Sequence, residues 1–104
     1  MKVMQRGIMK ILPGKMAEAM ALNEKFMAMS SRCGMSAIAM RMYRPFTGGG
    51  DAMHTVIFEI EWDSFTEMAS FFEKVMADPE WRVQMSQWDV LLESHQVELY
   101  EAMS

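Results

Sequence analysis

Residues 54–67, HTVIFEIEWDSFTE, carry the pattern that decides the fold. His54, Val56, Phe58, Ile60 and Trp62 alternate with Thr55, Ile57, Glu59 and Glu61, and Met53 extends the second set. A period of two is that of a β-strand, apolar on one face and mixed on the other. The strand reading covers 52–62. Ser64-Phe65-Thr66-Glu67 then forms a capping box, in which the Ser64 hydroxyl and the Glu67 carboxylate satisfy amide donors at a helix start. Asp63 is a rival N-cap. Beyond it Phe65, Met68, Ala69, Phe72, Val75 and Met76 predict one helical stripe. Strand and helix therefore follow each other almost without a loop.

Upstream, residues 35–44 also alternate. Ile38, Met40 and Met42 point one way and Ala37, Ala39, Arg41 and Tyr43 the other. The turn-rich Pro45-Phe46-Thr47-Gly48-Gly49-Gly50-Asp51 joins this strand to 52–62 as a hairpin with a long loop. Residues 3–12 read as a strand that Pro13-Gly14 ends. Apolar positions spaced by three and four from Lys15 to Cys33 predict a helix, with Gly34 free to take positive φ just past its end. Downstream, Asp78-Pro79 stops the second helix. Trp81, Met85 and Trp88 predict a short extra helix over 79–88, and a last strand falls within 90–101. The order β-α-β-β-α-β is the ferredoxin-like, split βαβ pattern of the α+β class. It implies one four-stranded antiparallel sheet with helices on one face, and residues 1–104 as a single domain.

The composition agrees. At 104 residues, 51% hydrophobic and 23% charged, the chain is long enough for one modest core and too apolar for disorder. A radius of gyration of about 13 Å is expected. No run without Asp, Glu, Lys or Arg exceeds the stretch Cys33–Met40, so no membrane-spanning helix is expected. The start lacks an apolar core and a cleavage site, which argues against a secretory signal. A net charge of −4 argues against nucleic-acid and anionic-membrane surfaces. A lone cysteine fits a reducing, cytoplasmic setting and is read as buried filler. The 15 methionines are spread from Met1 to Met103. Met9, Met20, Met27, Met40, Met42, Met68 and Met76 sit where Leu or Ile would serve, so they read as core filler rather than as soft-metal ligands.

Face assignments raise a second issue. With 54, 56, 58, 60 and 62 under the helices, the other sheet face carries Met53, Thr55, Ile57, Glu59 and Glu61, with Ala37, Ala39, Arg41 and Tyr43 beside them. On the first strand it carries Met4, Arg6, Ile8, Lys10 and Leu12, leaving Gly7 to face the first helix closely. That face is too apolar for plain solvent, and a second copy packed sheet to sheet is its simplest cover. Arg6, Lys10 and Arg41 share it with Glu59, Glu61 and Glu98. These charges read either as salt bridges at the rim of a homodimer or as a polar pocket in which Arg6 or Arg41 grips a carboxylate.

Pro13-Gly14-Lys15, the Glu59-Ile60-Glu61-Trp62-Asp63-Ser64-Phe65 junction and Asp78-Pro79-Glu80-Trp81 together resemble dimeric α/β-barrel proteins, most closely NIPSNAP-like ones. The resemblance spans nearly the whole chain. It implies a homodimer whose two sheets close into a barrel, with pockets between each sheet and its helices or the barrel wall. The superfamily includes cofactor-independent monooxygenases whose members share Asn, Trp and His groups. Here the single Asn, Asn23, falls in the first helix, and neither His is read beside Trp62 or Trp88.

No GxGxxG, P-loop, CxxC or HExxH occurs, and neither histidine lies in a haem motif. No cofactor and no metal are expected. His54 reads as a peripheral core residue at the start of its strand. Trp81 and Trp88 read as pins of the short helix. The candidate ligand-binding residues are Arg6, Arg41, Tyr43, Thr55 and Glu59 on the open sheet face, with His95 on the last strand. The function they suggest is a small-molecule-binding domain or cofactor-independent enzyme with a pocket for a compact, partly apolar ligand. The alternative is a non-catalytic homodimeric structural or interaction domain.

Overall fold

A computed structural model of the chain describes residues 1–35, 39–47 and 51–103. The elements are β1 (Val3–Ile11), α1 (Met16–Arg32), β2 (Met40–Tyr43), β3 (Thr55–Trp62), α2 (Phe65–Ala77), α3 (Glu80–Asp89) and β4 (Leu92–Glu101). The strands form one antiparallel sheet in the order β2-β3-β1-β4. The radius of gyration is 14.0 Å. No helix among the described residues is long and apolar enough to cross a membrane.

Local chemistry fixes the helix ends. The Glu67 N–H donates to Ser64 Oγ at 3.1 Å, so Ser64 and not Asp63 is the N-cap of α2. The Glu67 carboxylate reaches back to the Asp63 N–H at 2.7 Å, one residue earlier than the usual box. Helix α1 ends in a Schellman motif. Met35 N–H donates to the Ser30 carbonyl at 2.9 Å and Gly34 N–H to that of Ser31 at 3.2 Å. Gly34 holds φ +99°, which a Cβ would strain. At the α2–α3 corner Asp78 Oδ1 accepts the Glu80 N–H at 3.0 Å. Arg32 bridges Asp78 and Glu80 at 3.3 and 3.2 Å, tying the end of α1 to that corner.

The core lies on one sheet face in two clusters. One joins Val3, Ile60 and Trp62 to Met29, Cys33, Phe71 and Val75. The other joins Met9, Ile11 and Val56 to Ala19, Leu22, Trp88 and Leu91. Phe58 packs against both. Trp88 is buried and Trp81 half-buried, so both pin α3 as expected.

Several expectations are corrected. Gly7 faces Phe58, not α1: a Cβ there would collide with the Phe58 ring. Residues 52–54 form a short 3-10 turn outside the strand. There His54 Nδ1 sits 2.8 Å from Asp51 Oδ1, away from the core, and Met53 is exposed. The buried stripe of α2 runs through Met68, Phe71, Phe72 and Val75, while Phe65 and Met76 are exposed. Trp62 selects this face by stacking on Phe71 with ring centroids 5.2 Å apart. Strand β2 is only four residues long, and Ala39 packs on the helix-side core. Ser36, Ala37 and Ile38, and the loop reading for Gly48, Gly49 and Gly50, lie outside the described residues.

Candidate functional site

A cavity of about 430 Å³ lies between the two core clusters, over the helix-facing side of the sheet. Phe58 and Ile60 rise from β3 into it, and Met9 and Gln5 from β1. Phe26 of α1, Phe71 and Phe72 of α2, and Trp81 and Trp88 of α3 supply aromatic walls. Five methionines, Met9, Met35, Met40, Met68 and Met85, complete it. Unbranched thioethers repack at little cost, so such a lining adapts to shape. The missing Cβ at Gly7 is what lets the Phe58 ring lie down on β1 at its floor.

Helices do not cover the β4 side. Val97 and Leu99 border the cavity yet are 52% and 48% exposed, so this flank is its mouth. His95 stands there too, paired with Met9 across the strands, its ring 6.2 Å from that of Phe58. Loss of water against these apolar groups holds the imidazole below its ordinary pKa.

The polar atoms are few. Trp62 Nε1–H donates to Gln5 Oε1 at 3.0 Å, and Gln5 is 5% exposed. Asn23, on the buried side of α1, directs Nδ2 to Met42 Sδ at 3.1 Å. Asp89 marks the exposed rim. No Lys or Arg is among the described residues that line the cavity.

Of the expected ligand residues, only His95 borders this cavity. The strand registers carry the other five, Arg6, Arg41, Tyr43, Thr55 and Glu59, to the opposite, open face. There Arg41, Glu59, Arg6 and Glu98 form one transverse row across β2, β3, β1 and β4, alternating in sign. Arg6 Nε lies 3.9 Å from Glu59 Oε1, too long for a hydrogen bond, and has no hydrogen-bond partner among the described residues. The Thr55 hydroxyl donates to the Asp51 carbonyl, which uses it for the turn. Glu61 pairs with Lys2 at 3.1 Å and Lys10 with Asp51 and Glu93 at 3.8 and 3.7 Å. Glu98 beside Tyr100 raises that phenol above its ordinary pKa.

Gln5 was not singled out in the sequence. Its signal is positional: it is the one polar side chain in the helix-facing set Val3, Gln5, Gly7, Met9 and Ile11. Asn23 and Trp88 share the cavity wall with His95, a grouping invisible until α1, α3 and β4 are packed together. No group of three or more His, Cys, Asp or Glu suited to a metal ion occurs among the described residues.

This architecture, a four-stranded antiparallel sheet with its helices on one face, is shared by solved structures of NIPSNAP family members. A NIPSNAP family protein from Agrobacterium tumefaciens superposes with a TM-score of 0.78 at 19% identity, over 98% of this chain and 86% of the other. An uncharacterized NIPSNAP domain protein from Burkholderia xenovorans gives 0.75 at 18% identity, over 100% and 96%. SnoaB, a cofactor-independent oxygenase from Streptomyces nogalater, gives 0.72 at 14% identity, over 99% and 94%. No protein-family model matches the sequence, and no curated protein matches it. The likeness is therefore one of fold.

Proposed function

We propose that the chain is a small-molecule-binding domain that holds a compact, mostly apolar ligand between its sheet and helices and works as a homodimer in the cytosol. The observation that carries the reading is the cavity itself. Its volume is in the range of small-molecule sites, and its lining is aromatic and thioether with few polar atoms. Cofactor-independent chemistry, of the kind SnoaB is named for, would take place in this same space, whose wall includes Asn23, Trp88 and His95.

The homodimer rests on the open sheet face. Met4, Ile8 and Ile57 are only half-buried there, around the row Arg41, Glu59, Arg6, Glu98. A second copy turned about a two-fold axis parallel to the strands sets Arg41 opposite Glu98 and Glu59 opposite Arg6. The row is thus self-complementary, as an isologous contact requires. This face also supports the second reading, a purely structural dimer.

N-phenyl-1-naphthylamine, an uncharged probe that fluoresces in apolar sites, separates the two. The binding reading expects saturable fluorescence in the parent and its loss in a folded Met68→Trp variant that fills the cavity. No saturable signal, or one that the filled variant keeps, favours the structural reading.

A further inference from the structure

The most buried polar group in the cavity wall is the Gln5 carboxamide. Which way it faces is decided by chemistry. Trp62 Nε1 is a donor only, so the Gln5 atom 3.0 Å from it is the oxygen. The NH2 group is then left to the cavity, with no acceptor assigned to it among the described residues. The Gln5 nitrogen is not one of the fully buried atoms left without a partner, so it opens on the cavity space, where water or a ligand meets it. The other polar groups of the wall are placed differently. Asn23 already donates one N–H of its Nδ2 to the Met42 thioether. His95 is on the exposed β4 flank, within reach of water. The cations that could hold an acid, Arg6, Lys10 and Arg41, are on the opposite sheet face, and Asp89 adds a negative charge at the rim.

We propose that Gln5, oriented by Trp62, is the hydrogen-bond donor that fixes the ligand, and that the ligand is an uncharged, largely apolar molecule bearing a carbonyl-type acceptor. This rests on the cavity being a binding site, and it adds the class of molecule and the residue that reads it. Trp62 is a positioning residue here: it occupies the amide oxygen and thereby presents the nitrogen. Carboxylates are disfavoured, because the wall has no Lys or Arg among the described residues to replace the water that an anion would lose.

The test uses three probes with the same two phenyl rings: benzophenone, diphenylmethane and diphenylacetate. Affinities are measured by equilibrium dialysis at pH 7.5 on the full chain. Parent protein should bind benzophenone about 10-fold more tightly than diphenylmethane, the size of one good neutral hydrogen bond. Diphenylacetate should bind least. Gln5→Leu removes the donor without placing an ionisable group in the wall, so it should lose the ketone preference and retain diphenylmethane binding. Gln5→Met, close in volume, is the second variant and should behave alike. Trp62→Phe frees the amide to turn and should weaken ketone binding while leaving the hydrocarbon unaffected. Equal binding of ketone and hydrocarbon by the parent, a ketone preference that survives both Gln5 variants, or tight diphenylacetate binding overturns the assignment. Binding of none of the three overturns the cavity reading itself, and the assignment falls with it.

Discussion

At the scale of single residues, His95 and Gly7 give the sharpest expectations. On its otherwise exposed flank, the His95 imidazole is held below its ordinary pKa of 6.5 by partial loss of water on the side that faces Phe58. The unfolded chain therefore binds that proton first as the pH falls. Stability is unaffected where both states are neutral and declines as the pH drops through about 6.5 and below. Melting midpoints from pH 8 to pH 5 should fall more steeply for the parent than for His95→Gln. Parallel curves would show that the imidazole does not lose its proton preferentially in the fold. Gly7→Ala drives a methyl into the Phe58 ring and should cost about 1–3 kcal/mol in urea unfolding. Phe58→Leu on top should recover part of that loss, because the obstacle is the ring. Such detail was only half legible in the sequence. The alternation of β1 put Gly7 on the helix side, but which neighbour comes close depends on the β1–β3 register. Gln5 was passed over in the sequence, although the same alternation puts it on the helix side, and its partner could not be read there, since Trp62 lies 57 residues away.

At the scale of elements, the strongest sequence signals were local ones, and they correspond to closed hydrogen-bond motifs. Ser64 and Glu67, Gly34, and the Asp78–Pro79 corner all depend on residues within a few positions of each other. Ser64→Ala should cost about 1 kcal/mol in chemical denaturation, the usual value of an N-cap. Gly34→Ala should cost a similar amount, about 1–2 kcal/mol, because it forces an L side chain into the left-handed region. If either variant unfolds at the parent's midpoint, its motif contributes nothing. Where packing between elements decides, local pattern was not enough. The α2 stripe turned from Phe65 and Met76 toward Phe71 because the Trp62 indole offers a ring surface there. His54 followed the strand alternation on paper, yet the Asp51 carboxylate draws it into a turn.

At the scale of the whole molecule, the sheet has two unlike faces, and the sequence legibly separated them. It placed the charged candidates together and left them on the side away from the cavity, because a cavity is a gap between packed helices and has no pattern of its own. The open face carries the dimer expectation. Sedimentation equilibrium should give twice the 12.0 kDa chain mass, and Ile57→Asp should shift it toward the monomer by setting a carboxylate in the contact. A monomeric parent would contradict that assignment without touching the cavity. The central claim is that the space between sheet and helices takes an apolar ligand, and methyl-labelled methionine reports on it directly. In a carbon–proton spectrum titrated with benzophenone, the methyls of Met9, Met35, Met40, Met68 and Met85 should shift or broaden together. Those of Met1, Met53, Met76 and Met103, all exposed, should stay in place. An unchanged spectrum, or shifts confined to the exposed set, would contradict the claim.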